Sequence, residues 1–132
     1  MQIIYKYDII PEVEQIIEVF NSSGIKRPTN DKERINKMFF YSNLVVTAWD
    51  GENLIGIARA LTDYCYCCYL SDLAVKKEYQ NKGIGKKLIE LIREKIGEQS
   101  MLLLLSAPNA MEYYPKIGFE KAENAFIIKR TK

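Results

Sequence analysis

Leu70-Ser71-Asp72-Leu73-Ala74-Val75 is a strand-like run that gives way to a polar loop, after which Gln80-Asn81-Lys82-Gly83-Ile84-Gly85 opens a long amphipathic helix. No other segment constrains the chain as much. A strand that turns through small and polar residues into a helix presents that helix's unpaired N–H groups and positive dipole end to the turn, and this suits a phosphate. Gly83 and Gly85 let the backbone approach a ligand closely. Two familiar phosphate motifs fail on these residues. A P-loop needs Gly at the position of Gln80 and Ser or Thr at that of Lys87. A dinucleotide fingerprint needs a third Gly where Leu88 stands, and it belongs after an early strand. What remains is Q-x-x-G-x-G between a strand and a helix, a cradle for a diphosphate.

The rest of the pattern places this junction in an α/β fold. Ile3 to Tyr7 reads as a strand from its β-branched and aromatic content. Pro11 suits the first turn of a helix whose buried face is Val13, Ile16, Ile17 and Phe20 and which Asn21-Ser22-Ser23-Gly24 ends. Asn30 with Glu33 predicts a capping box for a second helix with Ile35, Met38 and Phe39 inward. Leu44 to Trp49 and Asn53 to Leu61 flank Asp50-Gly51, a hairpin signal, and a further antiparallel strand is expected over about Cys65 to Val75. The helix from Gly83 buries Ile84, Leu88, Leu91, Ile92 and Ile96, and Gly97 is placed to stop it. Met101-Leu102-Leu103-Leu104-Leu105 is continuously apolar, as expected of a strand buried on both faces. Strand, helix and strand from Leu70 to Leu105 make a parallel crossover attached to an otherwise antiparallel sheet, with about four helices in all.

Length allows one domain, 1–132. A net charge of +2 with 27% charged and 48% hydrophobic residues is neither that of a disordered tail nor that of a strongly basic nucleic-acid binder. Cys65, Cys67 and Cys68 are odd in number and crowded together, and with no His anywhere they form no complete zinc set, so they point to a reducing compartment and no metal. No apolar run approaches a membrane span and no leader pattern opens the chain, so a cytoplasmic location is expected.

Three segments carry a family resemblance: Gln80-Asn81-Lys82-Gly83-Ile84-Gly85, then Tyr114-Pro115-Lys116-Ile117-Gly118-Phe119, and upstream Gly56-Ile57-Ala58-Arg59-Ala60-Leu61-Thr62-Asp63. In order and spacing they resemble the GNAT N-acetyltransferase superfamily. The match is to small single-domain bacterial members, with some similarity to plant-type arylalkylamine acetyltransferases, and it covers about residues 44 to 129. The resemblance implies a central sheet whose parallel pair splays apart to bind CoA, and acetyl transfer from acetyl-CoA to a primary amine of a small molecule by direct attack in a ternary complex. Leu73, Ala74 and Val75 are then expected to pair with the pantetheine arm, and the Leu73 N–H to stabilise the oxyanion. Gln80, Asn81, Lys82, Gly83, Ile84, Gly85 and Lys86 are expected to hold the pyrophosphate, with Lys87 nearby and Asn109 as a further contact. Tyr114 matches the tyrosine that faces the departing thiolate. With no His, the base is sought among carboxylates, Asp72 first and Asp63 second, while Glu112 reads as a solvated helix residue. The glutamate of histone-directed relatives is replaced by Tyr69, which speaks for a small acceptor. The loop Gly24-Ile25-Lys26-Arg27-Pro28, with Trp49, Arg59, Tyr64, Tyr66 and Tyr69, is the expected acceptor wall.

The alternatives are a protein N-terminal or lysine acetyltransferase and a non-catalytic acyl-CoA sensor. A nucleic-acid surface through Lys76, Lys77, Lys82, Lys86 and Lys87 is the weakest reading, and none is expected. No membrane partner is expected, and a homodimer is left open.

Overall fold

The computed structural model describes residues 2–132. Its first strand, β1 (Ile4–Tyr7), begins one residue later than the β-branched run suggests. The first helix, α1 (Val13–Ser23), starts beyond Pro11, which lies buried just ahead of it, and ends at Gly24 in the left-handed region, φ 87°. The second helix, α2 (Lys32–Phe40), is capped by Asp31, whose side chain accepts the Arg34 N–H at 3.0 Å, one residue later than Asn30. Both residue types cap well, and the aspartate adds its charge to the positive helix end.

The Asp50-Gly51 signal gives β2 (Leu44–Asp50) and β3 (Asn53–Thr62), joined by a turn in which Gly51 has φ 62°. The next strand, β4 (Cys67–Val75), is shorter than expected because Asp63 gathers the N–H groups of Cys65, Tyr66 and Cys67 on one carboxylate oxygen at 2.8–3.0 Å, which turns that stretch into a loop. After a single 3-10 turn at Lys77–Tyr79 come α3 (Ile84–Ile96) and β5 (Met101–Leu104), then a 3-10 turn at Pro108–Ala110 and the short α4 (Tyr113–Lys116). The sheet order is β1-β2-β3-β4-β5, antiparallel except for the parallel pair β4 and β5. This is the mixed architecture that the sequence pattern and the resemblance imply.

Each sheet face carries its own core. On one, Ile16, Val19 and Phe20 of α1 and Ile35 and Phe39 of α2 close over Val45, Leu54, Ile57 and Ala74. On the other, α3 buries the expected residues and also Ile89 against Leu44, Val46, Ile55 and Ala58. Close approach of α3 to the sheet depends on Gly56, where an added Cβ would lie 3.2 Å from the Ala48 Cβ and 3.3 Å from the Leu88 Cδ1. No helix among the described residues is long and apolar enough to cross a membrane.

Two features depart from the sequence reading. β5 is an edge strand and not one buried on both faces: Met101 and Leu105 are each 57% exposed and Leu102, Leu103 and Leu104 are half-buried. Beyond Phe119, residues 120–132 are exposed and form neither helix nor strand. Replacing Gly56 by Val should push α3 off the sheet and lower stability by about 1–3 kcal/mol, the usual cost of overpacking. Urea unfolding measures this, and an unchanged midpoint would refute the close approach.

Candidate active site

β4 and β5 pair only from Cys67 opposite Met101 to Leu70 opposite Leu104. From Ser71 to Val75, β4 runs on without its parallel neighbour. The parting coincides with a β-bulge: Ala60 faces Leu70 and Arg59 faces Asp72, so Ser71 has no opposite number on β3. One extra residue turns Ser71 and Asp72 together toward the α1 and α2 face, and it returns Leu73 and Val75 to the α3 face that Cys68 and Leu70 share.

A charged knot fixes this point. Asp72 is wholly buried, and its two carboxylate oxygens accept from the Nε of Arg27, at 2.6 Å, and the Nε of Arg59. Arg59 also donates to the Ser71 Oγ at 2.9 Å, the Ser42 Oγ at 3.0 Å and the Met38 carbonyl at 3.3 Å, and its guanidinium lies over the Phe39 ring. The Nη2 of Arg27 donates to the Ser71 carbonyl at 2.9 Å. Asp72, expected as a base, therefore holds the loop between α1 and α2 and the body of β3 to the bulge. Asp63 is equally poor in that role: its turn lies at the paired end of β4, and three backbone donors hold its carboxyl well below the usual range. Tyr64 and Tyr66 share that end, roughly 23 Å of strand from Leu73. Trp49 is buried on β2, donating to the Thr47 Oγ1 at 2.7 Å.

Beyond the bulge the backbone alternates. The Lys76 N–H donates to the Ile55 carbonyl at 2.9 Å, which marks Ala74, opposite Ile57, as facing β3 and leaves Leu73 and Val75 with their backbone groups toward the gap. Ala74 thus drops out of the expected pairing set. Gln80 also has other work, since its N–H donates to the Lys77 carbonyl at 3.2 Å and its side-chain amide to the Val75 carbonyl at 2.9 Å.

The cradle itself begins at the next residue. None of the N–H groups of Asn81, Lys82, Gly83, Ile84, Gly85 and Lys86 donates to an acceptor among the described residues, and the first bond of α3 is that of the Lys87 N–H to the Gly83 carbonyl, 3.0 Å. Asn81 at φ 63° and Gly83 at φ 82° bend the loop so that these donors lead into the helix. The first turn of α3 has no acidic residue, although helix starts favour one, and Lys82, Lys86 and Lys87 are exposed around it. The loop is braced from below by the Tyr79 hydroxyl on Asp50 at 2.5 Å, the Lys77 N–H on the Ser22 Oγ at 2.9 Å, and Lys76 on Glu18 at 3.0 Å.

Gly85 is where the parts meet. A Cβ placed there would lie 3.6 Å from the Tyr113 hydroxyl, 3.9 Å from Val75 Cγ2 and 4.0 Å from Leu73 Cδ2. The hydroxyl of Tyr113, a residue to which the sequence reading gives no role, therefore reaches the cradle. Tyr114 lies half-buried on the α3-side core, its ring edge-on to Tyr113 at 5.2 Å and to Phe119 at 5.4 Å. Burial, and then the nearby Tyr113, pushes its phenol up from the usual value, and burial does the same for Tyr113. Two adjacent tyrosines give no sequence signal that tells them apart. Asn109 is exposed on the turn after β5. Among the described residues no group of three or more His, Cys, Asp or Glu side chains is placed to hold a metal ion.

Residues 11–129 match the model of an acetyltransferase (GNAT) domain. GCN5-related N-acetyltransferase 2, chloroplastic, of Arabidopsis thaliana is 36% identical over 81 residues, which cover 54% of this chain and 30% of that protein. The chain thus spans about a third of the length of that relative. Among solved structures, a probable acetyltransferase of unknown function from meticillin-resistant Staphylococcus aureus superposes with a TM-score of 0.84 at 26% identity, over 98% of this chain and 100% of that one. An aminoglycoside N-acetyltransferase in complex with CoA shares the fold at a TM-score of 0.72 and 13% identity, over 99% and 96%.

Replacing Asp72 by Ala should cost about 3–5 kcal/mol, because it strands the buried Arg59 guanidinium and leaves the half-buried Arg27 without its carboxylate. Chemical denaturation reads this directly. A loss under about 1 kcal/mol, typical of exposed ion pairs, would show that the knot does not hold the bulge.

Proposed function

The chain belongs to the GNAT acetyltransferase family, and from that premise we propose that it transfers an acetyl group from acetyl-CoA to a primary amine of a small molecule, by direct attack in a ternary complex. The observation that carries this reading is the convergence on Gly85: the side chains of Leu73 and Val75, whose backbone groups face the gap, the free N–H groups from Asn81 to Lys86, and the Tyr113 hydroxyl. A peptide-like arm ending in a diphosphate fits that set, and the thioester it bears supplies the acetyl group and leaves as a thiol.

In this reading Leu73 and Val75 bind the pantetheine arm as they would a neighbouring strand. The Leu73 N–H donates to the carbonyl oxygen as negative charge develops on it. The amides of Asn81 through Lys86 hold the diphosphate, assisted by the helix dipole and by Lys82 and Lys86. Tyr114 stays protonated, since burial raises its phenol further above a thiol's ordinary value near ~8.5, so it stabilises the departing thiolate by a hydrogen bond and not by full proton transfer, which is uphill by at least about 2 kcal/mol. Tyr113 orients the arm at the cradle.

An alkylamine near pKa ~10.4 costs about 4.6 kcal/mol to neutralise at pH 7. Asp72 and Asp63 are both engaged elsewhere and the chain has no His, so water takes this proton. The absence of a carboxylate at Tyr69 supports a small acceptor over a protein lysine. A cytoplasmic setting belongs to the same reading and is supported by free thiols at Cys65, Cys67 and Cys68.

Calorimetry should detect CoA uptake by the folded chain, weakened on the order of 10-fold or more in Gly83→Val, whose side chain opposes the left-handed φ and disturbs the amides. No uptake would overturn the reading. In a thiol-release assay with a panel of amines, Tyr114→Phe should lower kcat by about 100-fold with the acetyl-CoA KM little changed, while Tyr113→Phe should act mainly on KM. The opposite split would exchange the two roles, and CoA binding without turnover across the panel would favour a sensor. The logarithm of kcat/KM should rise with unit slope from pH 6 to about 9, as expected when the free amine is the reacting form. A plateau beginning near pH 5 would instead reveal a carboxylate base.

A further inference from the structure

We propose that the acceptor carries a carboxylate beside its amine, as an amino acid does, and that Arg27 is the residue that takes it. This deepens the acetyl-transfer reading above and rests on it. The observation is an imbalance of charge. Asp72 is one carboxylate between two guanidinium groups, those of Arg27 and Arg59, and neither arginine has a second acidic partner among the described residues. Charges withdrawn from water are paired, so a cluster left with one positive charge in excess calls for an anion.

The excess is available at Arg27. The Arg59 side chain is 8% exposed, and beyond Asp72 its donors end on the Met38 carbonyl, the Ser42 Oγ and the Ser71 Oγ. The Arg27 side chain is 26% exposed and spends three N–H groups: one on Asp72, one on the Lys26 carbonyl at 2.6 Å and one on the Ser71 carbonyl at 2.9 Å. A guanidinium has five, so one N–H on each terminal nitrogen is left over. Such a pair matches the two oxygens of a carboxylate. Lys26, next in the chain, is exposed and has no acidic partner among the described residues, which adds a second cation at the same place.

The position fits an acceptor. Arg27 holds the carbonyl of Ser71, the first residue of β4 beyond its pairing with β5. Leu73, whose N–H is proposed above to meet the thioester oxygen, lies two residues further on, roughly 7 Å along a strand. One amino acid bridges that distance, its carboxylate on Arg27 and its amine toward the thioester. Asp31, the acidic residue at the far end of the same loop, is occupied as the cap of α2. An alkylammonium without a carboxylate would therefore meet net positive charge and no anion to receive it, whereas an amino acid brings its own. The same cations favour the neutral form of the amine, which is the form that attacks.

Matched acceptor sets built on alanine, leucine and phenylalanine test this, each set comprising the acid, its amide and the amine that lacks the carboxyl group, with CoA uptake by calorimetry as a separate readout of the donor site. In at least one set kcat/KM should be about 10- to 100-fold higher for the acid than for either analogue, the difference lying mainly in KM. Arg27→Lys keeps a charge for Asp72 and loses the fork, so it should bring that ratio close to one while CoA is still bound. In the unaltered chain hydrocinnamate, which has the carboxylate and no amine, should compete with phenylalanine, and hydrocinnamyl alcohol should not. Equal kcat/KM for acid, amide and amine in every set, a ratio that survives in Arg27→Lys, or the absence of competition by hydrocinnamate would each overturn the inference and leave transfer to an amine standing. No CoA uptake, or no turnover with any acceptor, would overturn the acetyl-transfer reading and this inference with it.

Discussion

The site exists because β4 is longer than its pairing with β5. Backbone groups in a sheet interior must find partners, and an unmade hydrogen bond on buried backbone costs about 1–3 kcal/mol. Leu73 and Val75 present such groups to the gap that opens after Leu70. The gap cannot close by a simple slide of β5, because the bulge at Ser71 has already changed which side chains face which core. What keeps the bulge in place is electrostatic: a buried carboxylate shared by two arginines, one from β3 and one from the loop before α2. Arg27 also takes the Ser71 carbonyl just past the last β4–β5 pair. The knot is thus a wedge as well as an anchor.

The same carboxylate links the two walls of the cleft. On one side β4 leads through Val75 into the loop and α3, and on the other Arg27 pins the α1–α2 loop, the segment from which acceptor contacts are expected. The expected acceptor wall therefore takes its register from the strand proposed to receive the donor. The loop between β4 and α3 has a second set of ties, at Asp50, Ser22 and Glu18, none of which uses the amides from Asn81 onward. Rigid support and free donors are separated by residue, which is the preorganisation that anion binding requires.

The elements fixed by local chemistry were legible in the sequence. α3 ends where Gly83 and Gly97 place it, the β2–β3 turn sits at Gly51, and the helix faces follow their apolar spacing. The cap of α2 moved by one residue because Asn30 and Asp31 are equally capable, and only the backbone decides between them. The ion pairs of Asp72 are not legible for a deeper reason: an aspartate in a strand looks available, and its partners lie 45 and 13 residues away in the chain. Pattern along the chain carries no information on such a meeting. Tyr113 and Tyr114 differ only in which way a four-residue helix turns them.

β5 shows where composition misleads outright. An unbroken run of leucines is what a fully enclosed strand requires, yet here the sequence of the strand is that of an interior element while its position is that of an edge. Leu102, Leu103 and Leu104 are half-buried, and the strand pairs on one side only, with β4. The consequence reaches the cleft, since β5 is the gap's second wall. That wall is anchored over four residue pairs, from Cys67 opposite Met101 to Leu70 opposite Leu104, so the gap's width is set where this pairing ends and the bulge at Ser71 begins.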